Sequence, residues 1–390
     1  MNALLEGLRR RPLGWLQLRH KPLRLLVALL GIGFAVLLIL MQLGFRTALF
    51  ESAVRFHERF VYDIALFSPD SVFIVRPQPF SIRRLYQTLA HDQVVDVAPI
   101  YIFPGIWKDP WGTERRAINV VGIRPEDDLL DTPGFSAARH KVMRQDAVIF
   151  DASSRPEFGA VAAAVAAQGP LTTEVNDRTI EVVDTFTMGT SFGIDGTIIT
   201  SDDNWLRLFP DRSRNDIQLG LIRLTDDADE AAVAEQLRRD LPDDVLVLTK
   251  AEFIARETAY WDSATPIGYV FFFGAVMGFV VGAIIVYQIL FADVSEHLNE
   301  YATLRAIGYS NRFVSGIVLQ QAAILAVLGF IPGVAVVIWL YGSAAAATNL
   351  PIYLTGERAG AVFLLTLVMC AMSALLAVRK VRRLDPAEVF

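Results

Sequence analysis

The sequence predicts a membrane α-helical fold: four transmembrane helices, with an α+β extracytoplasmic (periplasmic) domain inserted between spans 1 and 2. Three observations carry that prediction. Mean hydropathy over the 390 residues is +0.39, too apolar for an ordinary soluble chain, while 20% of residues are charged, too many for a chain that is membrane throughout. The apolar residues gather in long uncharged runs. Basic residues flank those runs at both ends of the chain.

The first uncharged run covers residues 25–45, and a helix needs ~20 apolar residues to cross the hydrocarbon core. With its flanks it predicts a span over 23–46. The run is too long for the apolar core of a signal peptide, and no clear small-residue cleavage site follows it, so an uncleaved anchor is expected. Ahead of it, residues 1–22 mix Leu4, Leu5, Leu8, Leu13, Trp15 and Leu16 with Arg9, Arg10 and Arg11. Such a segment reads as a basic amphipathic helix at the cytoplasmic interface, or as a disordered basic tail.

Further runs predict spans over 263–292, 313–342 and 359–378. The third run continues to residue 356 and by length alone holds either one span and a loop or barely two spans. Positive charge decides. Arg19, Lys21 and Arg24 precede the first span, and Arg379, Lys380, Arg382 and Arg383 follow the last. Lys/Arg-rich short flanks stay in the cytoplasm, so both termini are inside and the span count is even. That orientation, in a bacterial inner membrane, makes 293–312 and 379–390 cytoplasmic. Residues 47–262 and the short loop 343–358 then lie outside.

Within 47–262, short β-like runs recur at 117–122, 147–150, 179–183, 197–200, 219–224 and 245–248. Turn signals separate them at Asn176-Asp177, at 193–196 and at 201–204. Helices are expected over 80–90 and 229–240, the latter closed by Pro242, and 160–167 is helix or connector. This is an α+β pattern.

A search for chemistry returns little. The sequence has no H-E-x-x-H and no Cys-x-x-Cys, and its five histidines are scattered. Cys370 is the sole cysteine and lies in an apolar run, which excludes an intrachain disulfide and a thiolate metal site. Asp202-Asp203 and Asp243-Asp244 read as solvated turn residues. No lysine follows a glycine, so the chain holds no P-loop and cannot itself supply a Walker-type ATPase. A net charge of −6 with basic runs only beside spans argues against a nucleic-acid partner. The expectation is a non-catalytic chain with no cofactor and no metal of its own.

No Asp, Glu, Lys, Arg or His falls at mid-membrane depth, where one is normally kept only for function. Gln42, Gln288, Gln320 and Gln321 lie nearer the span ends and read as structural. In the second span Gly274, Gly278 and Gly282 recur every four residues. They predict a flat helix-packing face, used within the chain or across a dimer. Gly329 and Gly333 repeat the spacing once in the third span, around a possible kink at Pro332.

The most informative short segment is the cytoplasmic loop 293–312. Residues 296–307 suit a helix, Gly308 a C-terminal cap, and Ser310 the cap of the next helix. A short helix with mixed faces between two spans suits docking into a partner's groove, or serves as a plain interfacial connector.

The stretch Glu300-Tyr-Ala-Thr-Leu-Arg-Ala-Ile-Gly-Tyr309 resembles the cytoplasmic loop motif of FtsX/MacB-type ABC transporter permeases, as does the tail over 377–390. Within that superfamily the likeness to DevC-type permeases runs nearly the whole chain. It includes Pro12-Leu-Gly-Trp-Leu-Gln-Leu18, Met41-Gln-Leu-Gly-Phe-Arg46 and Phe150-Asp-Ala-Ser-Ser-Arg-Pro-Glu-Phe-Gly159. It continues through Gly189-Thr-Ser-Phe-Gly193, Thr265-Pro-Ile-Gly268, Tyr287-Gln-Ile-Leu290 and Ala347-Thr-Asn-Leu-Pro-Ile352. The resemblance implies a homodimeric permease in membrane lipid, with two copies of a separate ABC ATPase that bind the ATP. A periplasmic membrane-fusion protein and a TolC-like outer-membrane channel would complete an exporter working by mechanotransmission, with glycolipid as a class-level cargo. Glu296, Glu300, Tyr301, Leu304, Arg305, Gly308 and Tyr309 are the residues expected to couple to the ATPase. The alternatives are an FtsX-like regulator of a cell-wall hydrolase and a ligand-sensing membrane protein.

Overall fold

The computed structural model describes residues 15, 18, 20–191, 193–264 and 266–382. Most of the expected amphipathic segment 1–22, most of the tail 379–390, and Phe192 and Thr265 of the motifs above lie outside the described residues. The chain forms two compact units. One comprises Met1–Thr47, Ile267–Ala345 and Ile352–Phe390; the other comprises Ala48–Pro266 and Ala346–Pro351.

The first helix, α1 (Pro22–Arg59), carries the first apolar run and continues beyond Arg46, where that run ends. The inserted domain follows with β1 (Ile64–Phe67), β2 (Phe80–Ser81), α2 (Ile82–Gln87), β3 (Val94–Lys108), β4 (Arg115–Ile123), α3 (Phe135–Ala138) and β5 (Ala147–Asp151). Next come α4 (Val161–Gln168), β6 (Leu171–Val175), β7 (Arg178–Phe186), β8 (Thr197–Ser201), α5 (Asp202–Leu208), β9 (Asp216–Ile217) and β10 (Leu219–Leu224). The domain ends with α6 (Glu230–Asp240), β11 (Leu246–Thr249) and α7 (Lys250–Ala259). Each of the six expected β runs falls in a strand to within a residue, 229–240 is helical from Glu230, and 160–167, open between helix and connector, is helical from Val161; the helix expected over 80–90 begins only at Ile82, because Phe80 and Ser81 pair with β9 as a strand.

Nine strands make one mixed sheet in the order β11-β1-β10-β3-β4-β8-β5-β7-β6, and a further β3–β6 pairing joins Trp107 and Lys108 to Val175 and Glu174. That pairing closes β3, β4, β8, β5, β7 and β6 into a ring. β4–β8 and β5–β7 are parallel, and the other pairings are antiparallel. Two apolar cores form, one around Trp107, Phe150, Phe158 and Trp205, the other around Phe56, Phe67, Phe135 and Phe253.

The structure corrects one turn. Ser201 to Asn204 is not a loop but the start of α5: the Ser201 hydroxyl accepts from the Asn204 amide at 3.2 Å. Asp202 and Asp203 occupy the first helical turn, where acidic side chains complement the exposed amides. The N-cap residues that favour turns also start helices, and here the buried Trp205 draws the segment into the core.

Among the described residues, four helices are long and apolar enough to cross a membrane: α1, α8 (Pro266–Glu296), α10 (Asn311–Thr348) and α11 (Gly356–Arg382), with the short α9 (Leu298–Ala306) between α8 and α10. The chain is a membrane protein of four spans, with its α/β domain between the first and second.

Glycines set how closely the spans approach. A methyl added at Gly274 would meet the Gln42 side chain, at Gly278 it would meet Leu38 and Ile39, and at Gly282 it would meet Ala35 and Met369. The three glycines of α8 thus face α1. On α10, a methyl at Gly333 would lie 2.9 Å from the Gly33 carbonyl oxygen, and one at Gly329 would meet Ile32 at 2.7 Å. The helix continues through Pro332, as bundles permit when neighbouring groups absorb the freed carbonyl.

A candidate coupling site on the loop between the second and third spans

The segment after α8 is built by ordinary helix-end chemistry. The ladder continues past Glu296, with His297 N–H donating to Asp293 O at 3.1 Å and Tyr301 N–H to His297 O at 3.0 Å. Helix α9 then ends on Gly308, whose φ of +106° only glycine adopts cheaply. The Tyr309 N–H donates to Leu304 O at 3.1 Å, the six-residue closure of a Schellman cap. Ser310 opens α10 by accepting from the Phe313 amide at 3.3 Å through its hydroxyl.

The seven residues expected to couple fall into distinct groups. Tyr301 is 1% exposed and faces inward. Glu296 meets Lys21, and its other oxygen accepts from Arg24 at 2.7 Å. Leu304 and Tyr309 are half-buried, and Tyr309 packs on Phe313 with ring centroids 4.6 Å apart. Glu300 and Gly308 are exposed, and a methyl at Gly308 would touch nothing within 4 Å. Arg305 lies in α9, and its side chain is outside the described residues.

Beneath the loop sits a polar cluster that the sequence reading passed over. Asp293 is 5% exposed and accepts from Gln321 Nε2 of α10 at 2.9 Å. Arg24 of α1 stands 3.9 Å from its other oxygen, and His297 Nδ1 donates to its backbone carbonyl at 2.9 Å. Three helices meet on one carboxylate. The signal lay in two residues at span ends: Asp293 closes the second uncharged run, and Gln321 sits about two turns into the third.

The second omission is Ile307, 72% exposed directly before the cap glycine. With Glu300 and Thr303 it makes one outward stripe at three- and four-residue spacing. It gives that stripe an aliphatic tip. The stripe offers a partner a carboxylate, a hydroxyl and an aliphatic tip on a capped helix.

A second polar cluster belongs to the inserted domain and draws together residues of separate sequence motifs. Asp151 is 1% exposed and accepts the amides of Ser153 at 3.0 Å, Met188 at 3.0 Å and Gly189 at 2.9 Å. Burial pushes its pKa up, opposed by those three donors and by Arg55. Arg55 Nη1 donates to Thr190 O at 3.0 Å, and Thr190 Oγ1 donates to Asn349 O at 3.3 Å. Asn349 has φ +54° and carries its Nδ2 to 3.5 Å from Ser153 O. Among the described residues, no group of three or more His, Cys, Asp or Glu side chains is placed to hold a metal ion.

The described residues thus form four apolar helices with a short capped helix between the second and third. Residues 272–386, which hold most of α8 and all of α9, α10 and α11, match the family described as FtsX-like permease C-terminal. Among solved structures, the periplasmic region of MacB from Actinobacillus actinomycetemcomitans is similar at 14% identity. It covers 50% of this chain and 91% of its own, with a TM-score of 0.35. The extracellular domain of the noncanonic ABC-type transporter YknZ from Gram-positive bacteria is similar at 16% identity, covering 47% of this chain and 98% of its own with a TM-score of 0.32. No curated protein matches the chain.

Proposed function

We propose that the chain is the permease subunit of an ABC exporter of the MacB/DevC type. The observation that carries this reading is the FtsX-like permease match across 272–386, which contains the capped α9 and its exposed Glu300, Ile307 and Gly308. On this reading a separate ATPase binds and hydrolyses ATP, and the chain is not itself an enzyme. The site lies on the cytoplasmic side of a bacterial inner membrane, with both termini cytoplasmic, as the flanking arginines and lysines support.

Two copies of the permease would engage two ATPases, a periplasmic membrane-fusion protein and a TolC-like outer-membrane channel. The spans hold no Asp, Glu, Lys, Arg or His at mid-depth, which fits mechanotransmission better than carriage of cargo between the helices. ATPase closure would move α9, and the inserted domain would respond by expelling a periplasmic or lipid-like cargo, glycolipid being the class the DevC likeness suggests.

The test is co-purification of the ATPase encoded beside it with the full chain. Glu300→Ala and Ile307→Asp should each weaken retention of the ATPase, and the pair should abolish it, with the unfolding midpoint of the chain unchanged. Retention equal to the unaltered chain in the double variant overturns the assignment.

A further inference from the structure

A cavity of about 700 Å³ opens between α8 and α11, inside the helical unit. Its wall is apolar along most of its length, from Phe279 and Ile284 on one helix and Met372 and Leu376 on the other. Its end is not. Both walls turn polar at the same level, one helical turn beyond Ile284 and Leu376, at Tyr287 and Arg379.

The groove exists because its floor is small. Ser373 and Ala283 face each other there, and the Ser373 hydroxyl donates to the Ala283 carbonyl at 2.9 Å. That bond joins the two helices where no long side chain can fill the space, and it leaves the floor with no free donor for a ligand. Ile284, Met372 and Leu376 are about half exposed along the rim, so the groove is open along its flank.

Charge selects the occupant. A guanidinium is ionised at any accessible pH and binds phosphate through two parallel N–H bonds. Among the described residues no carboxylate pairs with Arg379, and Lys380, Arg382 and Arg383 follow it in the sequence. An apolar channel of ligand-binding size that ends on an unneutralised arginine beside a tyrosine has the form of an acyl-chain slot with a phosphate site at its mouth.

We propose that this groove is a binding site for an anionic phospholipid of the cytoplasmic leaflet, its phosphate held by Arg379 and one acyl chain lying along Phe279, Ile284, Met372 and Leu376. The inference rests on the membrane reading and its orientation and not on any ATPase, so its failure would leave the coupling reading standing. A second copy of the chain is the competing occupant.

The full chain, purified in mild detergent and delipidated, is given phosphatidylglycerol or phosphatidylcholine in equal amounts, and retained lipid is counted by native mass spectrometry. The unaltered chain should retain phosphatidylglycerol preferentially. Arg379→Gln should lower phosphatidylglycerol retention about fivefold, the scale set by one basic residue at a membrane surface, and leave phosphatidylcholine unchanged. Arg379→Lys should keep most of the preference, and Ala283→Trp, which fills the groove, should lower retention of both lipids. Equal phosphatidylglycerol retention in the unaltered and Arg379→Gln chains overturns the proposal. So does efficient cross-linking of Ile284→Cys between two copies in native membranes, with Cys370 replaced by alanine, because a second copy would then cover the groove.

Discussion

The inserted domain and the helical bundle hold their most deeply buried acids in opposite ways. In the domain the two deepest, Asp151 and Glu257, take backbone amides, three for Asp151 and Ile74 N–H at 2.7 Å for Glu257, while the shallower Asp127 pairs with the Arg124 side chain at 2.8 Å. In the bundle the buried Asp293 takes the Gln321 side chain, and beside it the exposed Glu296 takes those of Lys21 and Arg24. An amide is fixed by the chain that carries it, so an acid held by amides pins loops in one shape. A side-chain donor can rotate away and pair elsewhere. The bundle therefore places exchangeable contacts directly under the loop expected to move, and the domain places fixed ones where loops must keep their form.

The contrast can be broken most strongly at Asp151. Asp151→Ala strands three amides, each costing roughly 1–3 kcal/mol when buried without a partner, so the full chain should lose about 4 kcal/mol of stability in denaturant. A loss no larger than that of a surface variant would show that the loops hold their shape without it.

Glu257 tests the same idea through pH. Burial, opposed by the Ile74 amide and Arg256, raises its carboxyl from the ordinary 4.5 to about 7. A raised acid stabilises the fold while it is protonated. Its contribution is complete below pH 4.5 and is lost as pH rises through about 7. The change amounts to roughly 3 kcal/mol between those limits. Glu257→Gln should remove this part of the pH dependence, and an unchanged profile would refute the assignment.

Smaller effects belong to the bundle, where packing should outweigh polarity. Gly333→Ala drives a methyl onto the Gly33 backbone, which cannot rotate aside, and should cost about 2 kcal/mol. Gly274→Ala meets only the flexible Gln42 side chain and should cost well under 1 kcal/mol. Thermal unfolding of the full chain in detergent reads both, and equal losses would contradict a close contact at Gly333. Asp293→Asn should cost about 0.6 kcal/mol, the mean for hydrogen bonds between membrane helices. If it instead matched Asp151→Ala, the distinction between fixed and exchangeable acids would fall.

Much of this was legible in sequence because it rests on local rules. Uncharged runs and flanking arginines mark the spans, the Gly308 and Ser310 caps are written in single residues, and six strands announce themselves by β-branched runs. β3 was not legible, since Pro99, Pro104 and Gly105 read as breakers. The strand survives them by trading partners, pairing with β10 up to Ile100 and with β4 from Tyr101, so that neither half needs a full ladder on both sides. The Asp293 cluster stayed hidden for a different reason: its members are 269 to 297 residues from Arg24, and only helix packing brings them together. Tyr301 carries the same lesson, because a motif names a tyrosine without saying which way it faces.

Ala346–Pro351 belongs to the same unit as Ala48–Pro266, although two spans separate them in the chain. Cutting out the inserted domain at its natural ends would therefore leave it short of six residues, with Thr190 and Ser153 deprived of Asn349. The fragment would resemble an enzyme missing a split peptide. Supplied as a free hexapeptide, the sequence Ala-Ala-Thr-Asn-Leu-Pro could be returned to its seat, and the slowing of amide exchange at Met188 and Gly189 would measure how firmly that seat holds it.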